Sequence, residues 1–270
     1  MPLSEQEMDA QLALLVWELE QMYLASPNSL TPRWVHPEMA QQFKIVSYIS
    51  GKEALFGDKH ISLGEKDMFM GVLCEREADR QKVVALRGTE SLLEWSEDIN
   101  TEEKSLGGGL DVEEGFWSLA QTLVCTPASP SFVSRDTLYT GHSLGGALAT
   151  LLAYKAYATL VTFGSPAVGT AQWEAYATLC LRPQSRIYIN TSDVVPSLPP
   201  SPYTQVTRYV KTLTRPEHPL YTVLAPEPPG LIGNHSCLTY AWLIDYNVAL
   251  PQVKPSLLSR ILNWITEAIV

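Results

Sequence analysis

Apolar residues along this chain fall into two arrangements, spaced around one helical face or gathered in short runs. Leu12, Leu15, Val16, Leu19 and Tyr23 share a face, which predicts an amphipathic helix over 5–25. A proline-containing connection leads through Pro37, and strand-like runs follow at 69–75 and 83–86. Further strands are predicted from Leu138 up to Gly141, at 160–163 and at 186–190. Helical segments are predicted at 113–125, directly after Ser143 and at 172–181, with a glycine turn at 107–109. Strands alternating with helices imply a mainly parallel sheet covered on both faces. Prolines crowd the stretch from Pro196 to Pro229, predicting loops interrupted by edge strands such as 207–213. Two helices, 235–246 and 256–269, close the pattern. The last presents Leu258, Ile261, Leu262, Ile265 and Ile269 on one face for docking onto the sheet, with binding to a membrane surface as the alternative.

With 270 residues and no linker between two cores, the chain reads as one domain, 1–270. A 46% hydrophobic and 18% charged composition leaves ample apolar surface to bury. The net charge of −10, with no clustered basic residues to neutralise phosphates, argues against nucleic acid as a partner. Residues 1–32 hold no Lys or Arg, and Glu18 and Glu20 interrupt the apolar run at 12–24. No Sec-type signal is therefore expected, and the expected location is cytoplasmic or reached by a signal-independent export route. No stretch is long and apolar enough to span a membrane. Cys74, Cys125, Cys180 and Cys237 lie far apart with no CxxC or CxH pair. They read as reduced buried thiols, with a disulfide as the alternative; metal-ligand spacing is absent and no cofactor is expected.

Candidate chemistry starts at Gly141-His142-Ser143-Leu144-Gly145-Gly146, between the strand beginning at Leu138 and an Ala/Leu-rich helix. A serine on a sharp strand-to-helix turn is the nucleophile elbow, which pushes the hydroxyl out where a carbonyl can reach it. That hydroxyl needs a base, and in such folds the acid and the histidine follow the serine in that order. Two histidines lie downstream, His218 between prolines and His235 in a loop before a helix; the second setting fits better. Asp193 is the one aspartate between 143 and 235, just past the strand at 186–190, with Glu174, Glu217 and Glu227 the other carboxylates. A residue past the C-terminal end of a strand faces the same rim as the elbow, so Asp193 is the expected acid. The negative oxygen of the reaction needs two donors. One is the amide of Leu144; the other is expected from Thr89, at the end of the strand at 83–86.

Several blocks in this order resemble the fungal-type class 3 lipases: Leu86-Arg87-Gly88-Thr89, the glycine-flanked Ser143, Val161-Thr162-Phe163-Gly164-Ser165-Pro166, Asp193-Val194-Val195-Pro196 and His235. They span about residues 80–240. The resemblance implies an α/β-hydrolase fold with a mainly parallel central sheet, helices on both faces and a short helical lid. It implies Ser143, Asp193 and His235 as a catalytic triad and Thr89 and Leu144 as the oxyanion hole. It also implies a lid at 90–100, where Leu92 and Trp95 would meet substrate and share a face with Ile99.

The resemblance implies hydrolysis of lipid esters, triacylglycerol lipase-like, through an acyl-enzyme on Ser143, with a lipid ester at a lipid–water interface as the partner. The alternatives are a phospholipase A1, a plain short-chain esterase, acyl transfer to an alcohol, and a degenerate hydrolase fold used as a binding module. The chain departs from the family at Glu113-Glu114-Gly115-Phe116, where members often carry a basic or histidine residue before Gly-Phe. The connection from the elbow helix to Phe163 is short, and the signal and disulfides of the secreted fungal enzymes are missing.

Overall fold

Ser4 opens the first helix by satisfying amides that have no intrahelical partner. Its hydroxyl accepts from the Glu7 amide at 3.2 Å, while Glu7 takes the Ser4 amide at 2.7 Å, a reciprocal capping box. Helix α1 then runs over Glu5–Ala25 in the computed structural model, which describes residues 3–57, 60–89, 102–214 and 230–250. The pattern predicts one apolar face, but α1 is buried on most sides: Leu12, Leu14, Leu15, Trp17, Leu19 and Met22 are enclosed together with Asp9 and Glu18. Glu18 tolerates this because it takes the amides of Val35 and His36 and meets His36 Nδ1 at 2.6 Å.

A short helix α2, Pro37–Gln42, leads into two long antiparallel strands, β1 (Phe43–Gly57) and β2 (His60–Arg76). Only the 69–75 part of this pair was expected. In β1 three shifts of register, between Ile45 and Ser47, Ile49 and Ser50, and Lys52 and Ala54, break the alternation by which a strand is read. Strand β3 (Lys82–Leu86) follows, then the β4 (Glu103–Ser105) and β5 (Asp111–Glu113) hairpin around Gly107–Gly109. All three of those glycines adopt positive φ. Next come α3 (Glu114–Thr122), β6 (Val124–Thr126), β7 (Leu138–His142), α4 (Leu144–Ala156) and β8 (Thr159–Phe163). They are followed by β9 (Gly169–Thr170), α5 (Ala171–Cys180), β10 (Arg186–Asn190), β11 (Tyr203–Thr204) and β12 (Val210–Leu213).

The main sheet has the order β12-β10-β8-β7-β3-β2-β1-β6, parallel from β12 to β3 and antiparallel beyond. A small sheet, β11-β9-β5-β4, lies apart from it in pairing. Alternate residues of β3 serve opposite faces: Val84 and Leu86 join the cluster of α3, α4 and α5, whereas Val83 and Ala85 join that of α1. The helix expected at 235–246 is α7 (Cys237–Ile244), and a short α6 (Leu231–His235) precedes it where a loop was expected. The hydroxyl of Ser236 takes the Leu238 amide and caps α7, so His235 stands at the joint. Helix α7 packs with α1 on one face of the sheet. The expected 90–100 lid with Leu92 and Trp95, His218, and the helix at 256–269 lie outside the described residues.

Candidate active site

Strand β7 ends at His142 and α4 begins at Leu144, leaving Ser143 alone to turn the chain. It does so at φ 55°, ψ −130°, a region that costs a side-chain-bearing residue about 1–3 kcal/mol. The neighbours must be glycine for want of space. A Cβ on Gly141 would lie 2.2 Å from the Gly145 carbonyl oxygen, and one on Gly145 would lie 2.3 Å from that of Leu86. The Ser143 amide donates to the Phe163 carbonyl, tying the elbow to β8. Its Oγ is buried and has no hydrogen-bond partner among the described residues.

Asp193 stands in the turn after β10, its amide bonded to the Asn190 carbonyl at 2.9 Å. Its Oδ1 accepts the Val195 amide, and its Oδ2 meets both His235 Nδ1 and the Tyr240 hydroxyl at 2.7 Å. A carboxylate only accepts, so Nδ1 carries the proton and Nε2 is the lone pair left for another donor. That Nε2 is buried and likewise without a partner among the described residues. The two orphaned atoms, Ser143 Oγ and His235 Nε2, are a donor and an acceptor. The segments carrying the Asp193–His235 pair are sewn together, because Asn190 donates to the Asn234 carbonyl at 2.8 Å and Asn234 to that of Ser192 at 3.2 Å. Burial lowers the His235 pKa, helped by the neighbouring His142, while Asp193 pulls it back up.

Leu144 is the first residue of α4, so its amide is one of the helix's unpaired N-terminal donors, where the dipole favours negative charge. Thr89, half-buried, follows Gly88, whose position leaves only 3.0 Å between an added Cβ and Ser143 Cβ. The strand end and the elbow are thus in close contact. Arg87 fixes that strand end by donating to the carbonyls of Phe69 (2.7 Å) and Gly88 (2.9 Å), with its guanidinium 3.8 Å over the Tyr23 ring.

Three residues near the pair escaped the sequence reading: Tyr240, Glu20 and His142. His142 Nδ1 lies 2.8 Å from Glu20 Oε1, and its Nε2 lies 2.5 Å from the backbone oxygen of His235. The interruption of an apolar run by Glu20 was the visible signal. Glu20, His142 and Cys237 also form the only group of His, Cys, Asp and Glu side chains among the described residues close enough to share a metal ion. The 2.8 Å separation is that of a hydrogen bond; nitrogen and oxygen ligands at about 2.0 Å from a tetrahedral Zn²⁺ stand roughly 3.3 Å apart. Burial pushes the Cys237 thiol up to about 11. All four cysteines are buried and free.

Residues 83–203 match the family described as Lipase (class 3). The chain is 32% identical over 138 residues to a secreted mono- and diacylglycerol lipase of Fusarium solani, covering 46% of this chain and 40% of that protein. It is 29% identical over 145 residues to a lipase of Rhizomucor miehei, covering 47% and 40%. The chain thus spans about 40% of the length of the curated relatives it matches. A solved triacylglycerol lipase, described as having a serine protease triad as its catalytic centre, is similar with a TM-score of 0.54 and 20% identity, over 79% of this chain and 80% of that one. The shared architecture is the α/β-hydrolase fold.

The expectation of a cytoplasmic chain, or one exported without a signal, is corrected by these relatives. The Fusarium solani protein is a secreted lipase, which points to an extracellular location. The acidic, Lys- and Arg-free stretch that prompted the expectation has a structural cause, since 5–25 is the core helix α1. Among the described residues no helix is long and apolar enough to cross a membrane.

Proposed function

We propose, for a chain whose residues 83–203 match the class 3 lipase family, that it hydrolyses the carboxylic esters of glycerolipids through an acyl-enzyme on Ser143. His235 Nε2 takes the Ser143 proton as Oγ attacks the ester carbonyl, and Asp193 holds the resulting imidazolium. The amide of Leu144 and the amide or hydroxyl of Thr89 receive the negative oxygen; loss of one such donor costs about 3 kcal/mol of transition-state stabilisation. The alcohol leaves with the proton from His235, and water repeats the sequence to release the fatty acid. The 90–100 segment, with Leu92 and Trp95, is kept as the expected lid within one hydrolase domain of residues 1–270.

The observation that carries this reading is the Asp193–His235 hydrogen bond of 2.7 Å, which leaves Nε2 as a buried, unpaired acceptor on the histidine that follows the elbow in chain order. The glycerolipid substrate class is drawn from the relatives. The test is a panel of p-nitrophenyl esters, triacylglycerol emulsions and phospholipid vesicles, run with the parent protein and Ser143→Ala. The variant is expected to lose on the order of 10⁶ in kcat and all labelling by a fluorophosphonate. Full activity in Ser143→Ala would end the proposal.

A further inference from the structure

His142 directly precedes the elbow serine and lies against the histidine that the proposed reaction needs. Both of its ring nitrogens face acceptors: Nε2 the carbonyl oxygen of His235 at 2.5 Å, and Nδ1 the Glu20 carboxylate at 2.8 Å. A backbone carbonyl can only accept, so Nε2 carries a proton, and an ionised carboxylate on Nδ1 requires a second. The rings of His142 and His235 are tilted against each other with centroids 4.4 Å apart. Glu20 reaches this place from α1, which is fixed beneath the sheet by its buried face.

We infer that Glu20 and His142 form a positioning pair for His235, in which a doubly protonated His142 holds the His235 backbone and its positive charge keeps the His235 ring in the basic form. The geometry fixes the ring from behind through its own carbonyl, while Asp193 fixes it through Nδ1. The two contacts act on the charge in opposite directions. Asp193 favours an imidazolium at His235, and the neighbouring cation opposes it. Burial alone would hold the His142 pKa down, but Cys237 and Glu20 raise it well above its ordinary value. With the Cys237 thiol itself pushed up to about 11, Glu20 is the charge that maintains the cation at neutral pH. The groups facing these two rings are Glu20 from α1, Cys237 and Tyr240 from α7, and Asp193 from the turn after β10. Tyr240 stays a neutral phenol, its pKa raised by burial and by Asp193. Gly88 lies beside the Glu20 carboxylate, where an added Cβ would stand 3.1 Å from Oε1, and Arg87 precedes it in the chain.

The role assigned to His235 rests on the acyl-enzyme reading; the protonation of His142 does not. The test therefore has two arms. In the full chain labelled with ¹⁵N-histidine, His142 is expected to show protons on both ring nitrogens at pH 7.5. A ring with a single proton overturns the inference. In the second arm kcat/KM for p-nitrophenyl butyrate is followed against pH for the parent, Glu20→Gln and Glu20→Asp. A glutamine amide can donate to Nδ1, leaving His142 neutral but still bonded to the His235 carbonyl. The acid limb is then expected to move up by about one pH unit in Glu20→Gln. In Glu20→Asp it is expected to stay near the parent value. An unmoved limb in a folded Glu20→Gln overturns the proposal, and so does the same shift in both variants. If Glu20→Gln does not fold, the histidine spectrum of the parent and the Glu20→Asp profile decide. A parent with no esterase activity refutes the reaction, and the spectrum still decides the state of His142.

Discussion

Gly164 has little room to change beside the Asp193–His235 pair. It follows β8 at φ +56°, where a Cβ would lie 2.8 Å from Asp193 Oδ2 and 3.1 Å from the His235 ring. Asp193 cannot retreat cheaply, because three hydrogen bonds hold its carboxylate. Gly164→Ala is therefore expected to displace the pair and lower kcat by about 10²-fold, the usual result of misplacing a reacting group by about 1 Å. Stability should fall by roughly 1 kcal/mol from the left-handed backbone alone. Ester turnover measured beside a urea titration checks both; an unchanged kcat would show that the space is not needed. Of the residues around the pair, Asp193 and His235 could be picked from sequence, because chain order after Ser143 left few carboxylates and only two histidines. The structure brings those two within 2.7 Å and sets Gly88, the residue before Thr89, against Ser143. Tyr240 was not legible: in Cys237–Ile244 a tyrosine reads as one more core residue, and only the fold turns its hydroxyl onto Asp193.

At the scale of elements, α1 shows how a mostly apolar helix carries polar residues inward. Asp9 is wholly buried and ion-paired to Arg186 on β10, also accepting the Tyr188 hydroxyl at 2.7 Å. The pair locks the helix to the strand that delivers Asp193. Breaking a buried pair by removing one partner leaves an uncompensated charge and costs about 3–5 kcal/mol, far more than the pair itself contributes over an apolar substitute. Asp9→Asn is expected near the lower end of that range, since Glu5 still meets Arg186 at 3.3 Å. Adding Arg186→Met should recover most of the loss, and urea unfolding at pH 7 measures both. An unchanged midpoint in Asp9→Asn would mean that the guanidinium is hydrated. The same helix marks what periodicity can and cannot reveal. Its extent over Glu5–Ala25 was legible from spacing, as were the parallel strands β8 and β10 from their short apolar runs. The partners of Asp9, Glu18 and Glu20 were not, because they lie 177, 18 and 122 residues away or come from the backbone of an irregular segment. Strand β1 was lost for a local reason, three bulges in fifteen residues.

Stability against pH belongs to the molecule as a whole, since every group whose pKa changes on folding contributes to one unfolding free energy. Glu113 joins β5 to α3, where its carboxylate caps the Phe116 amide at 2.6 Å. Burial outweighs that hydrogen bond and raises its pKa from 4.5 to about 7. A carboxyl raised on folding favours the folded state fully below its unfolded value, and that advantage is lost as pH rises through about 7. The size is about 3 kcal/mol at 1.36 kcal/mol per pKa unit. His142, also raised, has the same sign above 6.5; His235, lowered, costs stability only as pH falls below 6.5. Between about pH 4.5 and 7 Glu113 should therefore make the protein less stable as pH rises, His142 adds to the decline above 6.5, and Glu113→Gln isolates the first part. Glutamine still accepts the Phe116 amide but cannot ionise. Parent and variant should unfold alike near pH 4, below the unfolded pKa, whereas at pH 8.5 the variant should be more stable by about 2 kcal/mol, allowing for partial relaxation. The self-repulsion of a chain with net charge −10 grows with pH in both proteins alike, so the difference between their urea curves cancels it. An equal gap at the two pH values would place the decline elsewhere, with His142 the next group to replace.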